Sequence, residues 1–228
     1  RKEGNIMDFN KIVSGLSSSG VLGGFAGGAV GGALMTNKKV RKHTGTLLKV
    51  GGIAALGGVA WKAYQGYTAN QAKGNENPAT EPQAASTAEK WQGLTQQGFA
   101  IEPSDNGTQS RAMVLVQAMI TAAHSDGHID ASERSRMMAK VVEMTLEPEE
   151  KAVLFDALSN PLSLAELCQI VDCPELAAEV YLCSSMVLDQ SLIHSSIYLD
   201  ALAQRLEIPP NFTKQLHANI ELQPTQAA

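Results

Sequence analysis

No CxxC pair occurs in this sequence, and its three cysteines, Cys168, Cys173 and Cys183, are an odd number gathered in one region. That excludes a disulfide framework and a paired-thiolate zinc site. They read instead as small apolar side chains on helix faces, in a reducing compartment. Acids are scarce at the start: through Lys73 there are ten Lys and Arg against only Glu3 and Asp8. Bases are scarce later, where seven Lys and Arg from Thr108 onward face sixteen Asp and Glu. An acidic second half without clustered Lys and Arg excludes a nucleic-acid groove, so no nucleic-acid partner is expected. Strand-like alternation is missing, as are the GxSxG elbow, the GxxxxGK[ST] loop and any His placed by sequence beside a Cys or Ser nucleophile. No catalytic residue is assigned, and the chain reads as a non-enzyme; a hydrolase of unrecognised type is the remote alternative.

What is present begins with apolar, glycine-striped sequence. Between Lys11 and Lys38 run 26 uncharged residues, IVSGLSSSGVLGGFAGGAVGGALMTN, most apolar from Val21 to Met35. As a helix this run would extend about 39 Å, against a hydrocarbon core of about 30 Å. Gly20, Gly24, Gly28 and Gly32 recur every fourth residue, with Gly23, Gly27 and Gly31 in a second row beside them. In lipid such stripes let helices approach closely, which predicts homo-oligomers through a glycine zipper. After the basic turn Lys38, Lys39, Arg41 and Lys42 comes a second apolar stretch, TLLKVGGIAALGGVAWKAYQGY, charge-free from Val50 to Ala60. Its Trp61, Tyr64 and Tyr67 suit a membrane interface, where Lys49 and Lys62 can snorkel. Residues 1–68 are therefore expected to form a membrane anchor, either a helical hairpin or a single span. Two spans would put the acidic half outside the cytoplasm; one span would keep it inside.

Residues 69–107, rich in Asn, Gln, Ala, Thr and Pro, read as a polar linker. A short helix from Glu89 to Phe99 is expected within it, with Trp91 and Phe99 docking on the following domain or on lipid. Residues 108–228 show a 3.6-residue period throughout and are expected to be all-α, with about seven helices. Arg111 to Ala123, apolar nearly all round, should lie at the centre. Met137, Met138, Val141 and Val142 supply a buried stripe to the next helix. Pro148 opens another, Ser163 and Glu166 form a capping box, and Pro174 starts a long helix through Leu188. Tyr198, Leu199, Leu202 and Leu206 share a later face, and Phe212, Leu216 and Ile220 the last one.

One segment, AAHSDGHIDASER, gathers His124, Asp126, His128, Asp130 and Glu133 within ten residues. Oxygen and imidazole groups this close can hold a divalent cation, the one cofactor the sequence suggests, through Asp126, Asp130 and Glu133 with His124. A calcium loop does not fit: with Gly127 as its glycine, Ala122 takes the first ligand position. A purely structural turn accounts for the same residues, with Asp130 capping the next helix and Glu133 closing a capping box.

The Gly-rich anchor, VGGIAALGGVAW, the polar linker, SDGHIDASER and SSIYLDALAQRLEIP together resemble YebE-type inner-membrane proteins. Their C-terminal part is similar to the TerB domain associated with tellurite resistance. The resemblance implies a TerB-like bundle of about seven helices tethered to the bacterial inner membrane, without established catalytic activity. It also implies metal contact at Asp126, Asp130 and Glu133. A second acidic turn, expected near Asp189, has Ser195 and Ser196 where an acid is looked for. An interaction domain with an unknown protein partner, in envelope, metal or tellurite stress, is the leading expectation; a metal-binding or sensing domain is the alternative.

Overall fold

A computed structural model of the chain describes residues 56–71, 89–99, 111–125, 148–188 and 192–221, with positions 135, 138, 139, 141 and 142 between them. All regular structure among the described residues is helical, and none is strand. The helices are α1 (56–71), α2 (Arg111–Ala123), α3 (Pro148–Ser159), α4 (Leu164–Gln169), α5 (Pro174–Val187), α6 (Ile193–Arg205) and α7 (Pro210–Glu221). A 3-10 turn spans Gln96–Phe99. The isolated positions from 135 to 142 are also helical, in the stretch expected to form a helix after Asp130. All seven glycines of the two stripes, the basic turn and the proposed cap at Asp130 lie outside the described residues.

Local chemistry explains the helix boundaries. Glu166 N–H donates to Ser163 Oγ at 3.2 Å while Ser163 N–H donates to the Glu166 carboxylate at 2.8 Å, so the expected capping box opens α4. Those two bonds satisfy donors that a helix start otherwise leaves open. Pro174 occupies the first turn of α5, where its missing N–H costs nothing. Between α6 and α7, Glu207 takes a left-handed backbone with φ 57°. Trp91 Nε1 donates to the Glu207 carbonyl at 2.7 Å, and Lys90 Nζ lies 2.9 Å from its carboxylate, so this bend is held from a distant part of the chain.

Helices α2 and α5 form the central pair. Eleven residues of α2 are buried, and in α5 everything from Leu176 to Val187 is. The near-continuous apolar run of Arg111 to Ala123 thus lies where its pattern put it. Tyr198, Leu199, Leu202, Leu206, Phe212 and Leu216 are buried as expected, with Ile220 packed at the margin. Val142 departs from expectation: it is 61% exposed whereas Val141 is fully buried. Adjacent helical residues point about 100° apart, so a narrow contact takes only one of them.

The second apolar stretch packs on this bundle from residue 56 onward. Leu56, Val59, Ala60, Ala63, Tyr64 and Tyr67 are all buried. Tyr64 and Tyr67, expected at a membrane interface, pack against the Phe212 ring at centroid distances of 6.0 and 5.3 Å. Trp91 meets the same ring at 5.2 Å, and Phe99 meets Trp61 at 5.9 Å and Tyr64 at 6.0 Å. Six rings therefore form one connected cluster, five of them contributed by residues 61–99. Each large apolar side chain so buried contributes about 1.5–3 kcal/mol, which makes these segments part of the core. No helix among the described residues is long and apolar enough to cross a membrane. The short helix expected from Glu89 to Phe99 is instead residues 89–90, a bend with Gly93 at φ 72°, and the 3-10 turn. Trp91 and Phe99, its two anchors, dock on the domain at 0% and 2% exposure.

Candidate functional site

Of the four residues read as cation ligands, the structure describes only His124; Asp126, Asp130 and Glu133 lie outside the described residues. His124 follows the end of α2, and its Nδ1 lies 2.9 Å from the Ile120 carbonyl oxygen. A carbonyl only accepts, so Nδ1 carries the proton and the ring is tied to its own helix. Among the described residues no group of three or more His, Cys, Asp or Glu converges on a point that could hold a metal. His194, in the first turn of α6, is exposed.

The polar feature that the structure builds most fully is a buried ion pair. Arg111, first residue of α2, donates from Nη2 to Glu179 Oε2 at 3.2 Å and from Nη1 to the Gly98 carbonyl at 2.7 Å. Glu179 is fully buried in the middle of α5, and among the described residues none donates a hydrogen bond to its Oε1. Burial pushes the Glu179 carboxyl up to about 7, against the pull of Arg111. Gly57 closes the fourth side: a Cβ there would overlap the Phe99 carbonyl oxygen and stand 3.3 Å from Glu179 Oε1. The pair thus joins α1, the 3-10 turn, α2 and α5. The sequence did carry a signal for it, one charge at the start of an apolar helix and one in the middle of another, which periodicity alone does not pair.

Other titratable side chains serve packing. The Tyr181 hydroxyl and His217 Nε2 lie 2.8 Å apart, and burial pushes the Tyr181 hydroxyl up to about 12. Burial likewise raises the thiols of Cys168, Cys173 and Cys183, which disfavours the reactive thiolate. Cys183 is in the core, and the other two pack at its margin.

On the outside, Leu192, Ile193 and Ile197 are 39%, 72% and 63% exposed at the start of α6. Ile193 and Ile197 are four residues apart and share one helix face.

The described residues define an all-α protein with a buried aliphatic and aromatic core and exposed aliphatic side chains at the start of α6. The chain belongs to the family described as "Protein of unknown function (DUF533)", whose model matches residues 20–220. An "Uncharacterized protein in ampR 5'region" of Yersinia enterocolitica is 30% identical over 125 residues, covering 55% of this chain and 87% of that protein. No solved structure matches the chain significantly.

Proposed function

We propose that this protein is a non-catalytic interaction module anchored in the bacterial inner membrane, presenting its acidic helical bundle to a protein partner. The exposed aliphatic face of Leu192, Ile193 and Ile197 is the observation that carries this reading. Scattered apolar residues on a surface need no explanation, but three in six positions mark a place where another chain fits. The likeness to YebE-type inner-membrane proteins, and of the bundle to TerB-like domains, supports the anchor and points to envelope, metal or tellurite stress as the setting. Self-association is assigned to the stripes Gly20, Gly24, Gly28, Gly32 and Gly23, Gly27, Gly31.

Two measurements test it. A photo-crosslinking amino acid at position 197 in cells should give one discrete adduct that Ile193→Glu abolishes, and no adduct at either 193 or 197 would overturn the docking face. Gly24→Leu with Gly28→Leu should reduce the detergent-solubilised protein from an oligomer to a monomer by light scattering; an unchanged mass would remove the zipper.

A further inference from the structure

We infer that α1 and residues 89–99 form a lid over the bundle, and that ionisation of Glu179 beneath it loosens the lid. The two parts hold one another. Leu94 N–H donates to the Tyr64 hydroxyl at 3.2 Å, and the Phe99 ring lies 5.9 Å from Trp61 and 6.0 Å from Tyr64. Gly57 comes so near the Phe99 carbonyl that a Cβ would overlap it. Polar ties to the bundle include Arg111 Nη1 donating to the Gly98 carbonyl and Trp91 Nε1 donating to the Glu207 carbonyl, both at 2.7 Å.

Glu179 sits where these parts meet. Its Oε1 would stand 3.3 Å from a Cβ on Gly57, and its Oε2 shares the Arg111 guanidinium with the Gly98 carbonyl. Glu175, one turn earlier on α5, lies against Gly98 and repels a charge on Glu179. Cys183, one turn later, is a buried thiol kept neutral by its surroundings. Neither α1 nor the 3-10 turn brings a titratable group to Glu179, and the groups that α6 and α7 bring to α5, Asp200 and His217, stand against Tyr181 instead. One cation therefore serves two acids and a backbone carbonyl. While Glu179 is neutral this suffices; once ionised, it competes with Gly98 for Arg111, and its other oxygen needs water. On the side of α2, eleven buried residues close the approach, whereas α1 covers the bundle with Leu56, Val59, Ala60, Ala63, Tyr64 and Tyr67. The lid is the lighter side to lift.

The closed form holds the proton more tightly, since burial pushes the carboxyl from 4.5 up to about 7 and an open form lets water reach it. Closure is thus favoured in full below about pH 4.5, and that advantage is lost as pH rises through about 7. The ratio of closed to open lid changes by up to about 300-fold over this range.

Hydrogen exchange of the full-length protein in a non-ionic detergent, read by mass spectrometry between pH 4.5 and 8 and corrected for intrinsic rates, tests this. Amides of residues 56–71 and 89–99 should exchange together, more readily than those of α2 and α5, with protection falling about 10-fold to 300-fold as pH rises. Glu179→Gln should remove the fall, and Glu175→Gln, which takes away the like charge, should move it to lower pH. If Glu179→Gln does not fold, the shift in Glu175→Gln decides alone. Protection of 56–71 equal to that of α2 and α5 at every pH would mean that α1 leaves only when the whole bundle unfolds, and would overturn the lid. No fall in the unsubstituted protein, or a fall unchanged in Glu179→Gln, would overturn Glu179 as its trigger.

Discussion

Arg111 gives Glu179 one hydrogen bond and gives the Gly98 carbonyl another, so the buried carboxylate keeps one oxygen that no donor among the described residues reaches. Its displacement from 4.5 to about 7 is a statement about folding. The folded protein holds this proton more tightly than the unfolded chain does. The resulting stabilisation is complete below about pH 4.5 and is lost as pH rises through about 7. The displacement corresponds to about 3 kcal/mol. Glu179→Gln, which cannot ionise, should flatten this part of the pH profile when thermal unfolding is followed between pH 4.5 and 8. Arg111→Ala leaves the carboxylate buried without the cation that pairs with it and should cost about 3–5 kcal/mol at pH 8, less at pH 5, by denaturant unfolding.

At the scale of the helix, Gly57 and Gly58 form a matched pair of probes on α1. An added Cβ at Gly57 overlaps backbone, whereas at Gly58 it meets nothing within 4 Å. Gly57→Ala should destabilise by about 1–3 kcal/mol, while Gly58→Ala should be neutral or stabilise by up to about 1 kcal/mol, as read by thermal unfolding in detergent. The bundle helices were legible in sequence because proline, the Ser163–Glu166 box and a 3.6-residue period are local signals. Helix α1 was harder to read. An apolar, aromatic-ended stretch looks alike whether its solvent is lipid or protein, and only the distant Phe212 ring distinguishes the two. The same limit hid the site, since nothing local to Arg111 announces Glu179 as its partner. The acidic turn was legible as a cluster of ligating types; of it, the structure describes His124, held to Ile120, but none of the carboxylates.

For the molecule as a whole, the bundle's edge runs further toward the amino terminus than a polar linker at 69–107 suggests. A fragment beginning at residue 108 lacks Tyr64, Tyr67 and Trp91, the three rings against Phe212. It should melt at a lower temperature than a fragment of residues 56–221 and bind an apolar dye that the longer fragment excludes; equal melting would show the aromatic cluster to be dispensable. The cluster also sets a timetable. Tyr64 is made 148 residues before Phe212, counting from 64 to 212, an interval of roughly 7–30 s at ~5–20 residues per second. Throughout that interval α1 has been made while the Phe212 ring it packs against has not. The fold is therefore closed only by the last helix to be made, and until then the apolar face of residues 56–71 is what a chaperone would have to shield.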